Sequence, residues 1–492
     1  MSGDLYRLAL TVLHPGFDGT SAPDWLRRAL GEGLGGVVLF ARNAASPPLV
    51  RQLRAENPGV VVAIDEEGGT VTRLEVAAGS SFPGNRALGV ADDVKLTEQV
   101  GRQIGRMLAE LDITLDYAPS ADVNANPANP VIGVRSFGPD PELVARHTVA
   151  FVEGVQGAGV AACAKHFPGH GDTVTDSHLA LPTVHASREL LAERDLPPFR
   201  AAIGAGVRSI MSGHLLVPAL DPSMPATLSR TAMTELLRGE LGFDGMLVTD
   251  AIEMRAVAAM FTPGEIAVRA LGAGVDAICV GLTTEDDLLA MRDAIVAAVR
   301  EGVLPEERLA EAAARVHALS AWYAGRSELR DKARDDVDEG VGLRAARAAL
   351  TATGTGRLDR APLVVEVNTR FSQAVDPATP TGITAALATL LPDTARVKLE
   401  PGGELPAFDE RPVVLVVHDA ARHAWVRDTV ARALARRPDA IIVDTGIPAP
   451  PQDATHITDP VTDPVTDHVA THVATHGVSR VSAQAAAEWM IR

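Results

Sequence analysis

Short apolar runs alternate with longer amphipathic stretches along the first 330 or so residues. The runs predict strands at Leu8–Leu13, Gly36–Phe40, Val60–Ile64, Ile113–Tyr117, Val160–Ala164, Ser209–Met211, Met246–Thr249 and Ala277–Val280. Strands separated by helical stretches build a parallel sheet with crossover helices. Eight of them predict a (β/α)8 barrel of the TIM type. Pro305 to about Arg334 reads as a helical end of the barrel and a connector, and Leu343–Ala352 as a further helix. Strand-like runs return at Leu363–Val367, Val413–Val417 and Ala440–Val443. The chain therefore reads as a barrel domain over residues 1–335 and a smaller α/β domain over 340–492. Near its end, four-residue units beginning at Ile457, Val461, Val465, Val469 and Val473 repeat over 457–476, and their prolines and polar residues predict a solvated loop.

Polar residues just past the strand ends change the picture. Val60–Ile64 runs into Asp65-Glu66-Glu67-Gly68-Gly69, and Ser209–Met211 into Ser212-Gly213-His214. Met246–Thr249 runs into Asp250, and Val160–Ala164 into Lys165-His166-Phe167-Pro168-Gly169-His170-Gly171-Asp172. The carboxyl ends of barrel strands form the catalytic mouth, so polar residues gathered there predict an active site. The segment Lys165 to His178 holds three histidines, two aspartates and a lysine, and Pro168, Gly169 and Gly171 make it a loop. Asp176 stands two residues before His178, so in a turn its carboxylate reaches the imidazole and orients it.

A metal site is the competing reading of these histidines. His166 and His170 have the i, i+4 spacing of helical zinc ligands, but Pro168 and Gly169 between them break a helix, and no His-x-His occurs in the chain. His468, His472 and His476 would share a face only if helical, and their place in a tandem repeat explains them more simply. No metal and no cofactor is therefore expected.

These motifs resemble family-three glycoside hydrolases, in particular their bacterial β-N-acetylglucosaminidase branch in its two-domain form. The loop Lys165–His178 is similar to that branch's signature. Val248-Thr249-Asp250-Ala251-Ile252-Glu253-Met254 resembles its nucleophile strand end. Ile64-Asp65-Glu66-Glu67-Gly68-Gly69 with Arg73, and Ile132-Gly133-Val134-Arg135-Ser136-Phe137-Gly138, resemble its sugar-binding segments. The resemblance implies a retaining β-N-acetylglucosaminidase with Asp250 as nucleophile and His178 as acid/base, oriented by Asp176. It further implies that Lys165, His166, Asp65, Arg73 and Arg135 hold the N-acetylglucosamine unit, with His214 and Met254 close by. The implied substrate is a small carbohydrate, either a peptidoglycan fragment met in wall recycling or a chitooligosaccharide. A β-N-acetylglucosaminide phosphorylase, a β-glucosidase of the same family and a non-catalytic sugar-binding protein remain as alternatives.

Charge and cysteine usage narrow the setting. A formal net charge of -18 disfavours nucleic acid and anionic membrane surfaces as partners. The two cysteines, Cys163 and Cys279, fall in apolar runs, which fits a reducing compartment. No leader-like segment and no membrane-length apolar run is visible, so a cytoplasmic protein is expected. No pattern specifies an oligomer.

Overall fold

The computed structural model describes residues 2–43, 45–367, 372–420, 422–448 and 470–492. Its first eight strands are β1 (Leu13–Pro15), β2 (Gly36–Leu39), β3 (Val61–Ile64), β4 (Leu115–Asp116), β5 (Ala161–Phe167), β6 (Ser209–Ser212), β7 (Met246–Thr249) and β8 (Ile278–Val280). β2 to β7 form one parallel sheet in sequence order, and β8 pairs in parallel with β1. A single bridge, Val248 to Ala277, joins β7 to the β8 side. Between β1 and β2 no ladder forms among the described residues. The result is a curled, incompletely closed barrel of the TIM type, followed by a second α/β domain.

The strands read as unbroken apolar runs because both of their faces are buried. Outward side chains pack under the helices, while Val38, Val61, Ala63, Leu115, Ala161 and Val248 fill the interior. Val316 and Leu319 of the helix Glu306–Ala324 close the foot of that interior core. At the β1–β2 seam a Cβ on Gly36 would lie 2.4 Å from the His14 ring, so only glycine lets the strands approach. Burial pushes His14 down to about 3 and keeps it neutral.

The second sheet has the order β11-β10-β12-β13-β14-β9. Its strands are β9 (Thr351–Thr353), β10 (Leu363–Val367), β11 (Ala395–Leu399), β12 (Val413–Val417), β13 (Ile441–Asp444) and β14 (His472–Ala474). All run parallel except β9, which pairs antiparallel with β14 at the edge. The helix Val341–Ala349 serves both cores: Val341 and Ala345 pack into the barrel's outer layer, and Ala346 packs on Val481 and Ala485.

Several expected elements shift. Leu8–Leu13 is not a strand: the helix Ser2–Thr11 precedes β1, and Leu5, Ala9 and Val12 are buried at helical spacing. Lys165, His166 and Phe167 still belong to β5, with a register break opposite β6, so the polar loop begins only at Pro168. The helix predicted to reach Ala352 stops at Ala349 and gives way to β9. The repeat is not solvated throughout. Residues 457–469 lie outside the described part, as does His468, but Val473, Ala474, Thr475 and His476 are buried. His472 lies in β14 and His476 comes after it at φ 54°, so these two share no helix. Among the described residues no helix is long and apolar enough to cross a membrane.

An ion cluster fastens the barrel foot. Fully buried Asp276 binds Arg308 at 2.6 Å, Arg238, and Arg315 at 3.4 Å, and accepts the Leu247 N–H at 2.9 Å. Asp276→Ala leaves three arginines without their shared anion, and breaking a buried pair costs about 3–5 kcal/mol. Urea unfolding should give an unfolding free energy lower by that order, and an unchanged midpoint would show the cluster to be dispensable.

Candidate functional site

The site starts from a charge that cannot be left alone. Lys165 on β5 is buried to 1% exposure, and an unpaired ammonium there would cost several kcal/mol. Its Nζ lies 2.6 Å from Asp65 Oδ1 and 2.7 Å from Glu67 Oε1. Glu67 also accepts both arms of Arg135, Nε at 3.0 Å and Nη2 at 2.7 Å. Arg73 Nη2 approaches Asp65 at 3.9 Å. Desolvation alone would raise Glu67, but the Arg135 and Lys165 charges outweigh it and hold the carboxyl well below the usual range. Behind this row, Glu66 accepts the N–H groups of Arg73 at 2.8 Å and Leu74 at 3.0 Å, fixing the segment that carries Arg73. Burial pushes the Glu66 carboxyl up to about 7.

The histidine-rich segment is organised by Asp122, beyond β4. Its Oδ2 lies 2.7 Å from His166 Nδ1, and its Oδ1 accepts the His166 N–H at 3.2 Å and the His170 N–H at 2.6 Å. The His170 ring spans the loop, with Nδ1 at 2.8 Å from Thr173 Oγ1 and Nε2 at 3.0 Å from Ser177 Oγ. Burial lowers His170 to about 4. Arg194 ties Asp172 at 2.9 Å to the neighbouring helical segment. The loop is therefore pinned at its base, while Val174 at its tip is 68% exposed. Asp176 Oδ1 accepts both the His178 backbone N–H at 2.9 Å and its Nδ1–H at 2.7 Å. This leaves Nε2 as the nitrogen available for chemistry.

Asp250 stands directly after β7, its Oδ1 accepting the Ala251 N–H at 2.8 Å. Burial would raise its carboxyl, but His166, His214 and His178 together hold it low and ionised. His214 lies behind it, fully buried. Its Nε2–H donates to the Ala251 carbonyl at 3.1 Å, and Thr227 Oγ1 sits 2.9 Å from Nδ1. Met254, also buried, completes this wall.

One cavity of about 390 Å³ collects Asp65, Arg73, Arg135, Lys165, His166, His178, Asp250 and Met254. Asp176 reaches it through His178, whereas His214 supports it from behind. Sequence patterns did not single out Glu67 or Asp122. Glu67 sits inside the acidic motif after β3, whereas Asp122 stands six residues past the end of β4 with no motif around it. Residues 373–377 of the second domain also line the cavity, with no sequence signal. Among the described residues no three His, Cys, Asp or Glu side chains converge as a metal site.

Comparison with known proteins gives this geometry its class. Residues 27–319 match the glycosyl hydrolase family 3 N-terminal domain. A β-hexosaminidase of Chromobacterium violaceum is 35% identical over 309 residues, covering 61% of this chain and 82% of that protein. β-Hexosaminidase A of Pseudoalteromonas piscicida is 39% identical over 270 residues, but the match covers only 45% of that longer protein. A family-3 β-N-acetylglucosaminidase structure from a Paenibacillus species superposes with TM-score 0.83 at 34% identity, covering 99% of this chain and 96% of the other. The chain belongs to glycosyl hydrolase family 3, and it is a glycoside hydrolase.

The Asp122 cluster can be tested in two ways. Asp122→Asn puts an amide N–H or a weaker acceptor against His166, so kcat/KM should fall about 10²-fold; activity within threefold of wild type would contradict the positioning. Folded His170 takes a proton only near pH 4, whereas the unfolded chain takes it near 6.5. The unfolded state thus holds more protons between these values, and the stability contributed by neutral His170 is full above pH 6.5 and lost as pH falls to 4. The difference in Tm between wild type and His170→Gln should therefore narrow from pH 7 to pH 4.5, and a constant difference would contradict it.

Proposed function

We propose that the protein is a retaining β-N-acetylglucosaminidase that works through a covalent glycosyl-enzyme. The observation carrying this reading is that Asp250 and the Asp176–His178 pair share one pocket with the Asp65, Lys165, His166, Arg73 and Arg135 group. Retaining hydrolysis needs a carboxylate to attack and an acid to protonate the departing oxygen. Asp250 Oδ2 attacks the anomeric carbon as the bond from that carbon to the glycosidic oxygen breaks. His178 Nε2 gives its proton to that oxygen, while Asp176, 2.7 Å from Nδ1, holds the ring in orientation. Water then attacks the same carbon, its proton passes to Nε2, and Asp250 is released. The charged row holds the sugar hydroxyls and acetamido group in place for both steps.

In this reading the catalytic domain spans 1–335 and the second domain 340–492. The names of these relatives support hexosamine as the sugar, and the substrate is a peptidoglycan fragment or a chitooligosaccharide. Two free, buried cysteines suit a reducing cytoplasm and a role in wall-sugar recycling.

Asp250→Ala should abolish turnover, and a 2-fluoro sugar should label Asp250 in the wild type; labelling of another carboxylate refutes the assignment. His178→Ala should lose about 10²–10⁴-fold in glycosylation rate with a sugar leaving group and far less with an activated aryl group. Asp176→Ala should show the same pattern more weakly. A uniform loss across leaving groups would move the acid elsewhere. Running these assays with and without inorganic phosphate separates hydrolysis from phosphorolysis by the product formed.

A further inference from the structure

We propose that Gln373, carried by the second domain, forms the leaving-group side of the pocket and selects substrates by what is attached to the N-acetylglucosamine unit. The proposal rests on the β-N-acetylglucosaminidase reading. On the barrel side Lys165, Asp65, Glu67 and Arg135 bind one another at the strand ends and form one polar wall of the pocket. A sugar ring held there turns its anomeric carbon to Asp250 and its glycosidic oxygen to His178. Whatever that oxygen carries must then extend away from the strand ends, toward the open mouth. The wall met there includes residues 373–377, which lie beyond β10 on the second domain.

This wall is built to hold a shape. Ser372 Oγ accepts the Ala374 N–H at 3.1 Å, and the Ser372 carbonyl accepts the Val375 N–H at 3.1 Å. Asp376 Oδ1 accepts the Ala378 N–H at 2.9 Å, and its carbonyl accepts the Thr379 N–H at 3.0 Å. Val375 also lines a crevice shared with Val131 and Ile132 of the barrel and His418 of the second domain. Within this fastened segment Gln373 differs. Its side chain is exposed, and among the described residues its amide makes no hydrogen bond. A free primary amide offers two donors and an acceptor, the complement of a sugar's hydroxyl and acetamido groups. Because the turn's backbone is already hydrogen-bonded, ligand binding has only the Gln373 side chain left to order.

The test measures the full-length protein and its Gln373→Ala and Gln373→Glu variants on two substrates, diacetylchitobiose and an aryl β-N-acetylglucosaminide. The first has a sugar as leaving group; the second has none for the amide to read. Loss of one neutral hydrogen bond to substrate is worth about tenfold. We expect Gln373→Ala to lower kcat/KM about tenfold on diacetylchitobiose, mainly through KM, and to stay within twofold of wild type on the aryl substrate. Gln373→Glu, which keeps the acceptor, should fall between them. Equal losses on both substrates would put Gln373 on the N-acetylglucosamine unit itself and overturn the proposal, as would an unchanged KM for the disaccharide. Failure of the wild type to cleave either substrate would instead overturn the activity reading on which the proposal stands.

Discussion

The buried ammonium of Lys165 is the constraint around which the mouth of the barrel is assembled. At 1% exposure it is tolerable only because Asp65 and Glu67 both approach it within 2.7 Å. Glu67 is in turn fixed by the two arms of Arg135, which comes from the segment after β4. One cation thereby ties together the ends of β3, β4 and β5. Any shift of one strand end would leave an unpaired charge in a low-dielectric interior, so the row keeps its geometry before any sugar arrives. That is the preorganisation a glycoside hydrolase needs to orient a ring full of hydroxyl groups.

A second level of order sits on the first. Asp122 gathers His166 and the backbone of His170, His170 braces Thr173 and Ser177, and Arg194 holds Asp172. Each of these groups fixes the base of the loop, and none reaches its exposed tip at Val174. His178 lies just past the tip and is 24% exposed, against 6% for His166. The first position is open to solvent, whereas the second is closed and held by Asp122. Asp176 accepts two hydrogen bonds from His178, whereas Asp250 keeps one oxygen uncommitted.

The second domain is joined to the barrel by more than a linker. Arg480 N–H donates to the Ser80 carbonyl, and the helix Val341–Ala349 packs into both cores. Its sheet buries apolar residues on both faces, as a parallel sheet must. Residues 373–377 line the pocket from this frame, so both layers contribute to its wall.

By itself the sequence determined the strands buried on both faces, since apolar runs such as Met246–Thr249 and Val413–Val417 are short and start directly after Gly245 and Pro412, which favours strand over helix. It also determined the local pair Asp176–His178, because two residues in a turn meet without help from the rest of the chain. It did not determine elements whose pattern is weak. β11 carries Arg396 and Lys398 on an edge, β14 hides in a polar repeat, and Leu8–Val12 is apolar enough to suit either helix or strand. The partners of Lys165, His166 and Asp250 lie 100, 44 and 36 to 84 positions away along the chain, at Asp65, Asp122, and the three histidines at 166, 178 and 214. Only closure of the barrel brings them within hydrogen-bonding or electrostatic reach. The approach of residues 373–377 to that site depends further on how two domains dock, and no spacing within the chain records it.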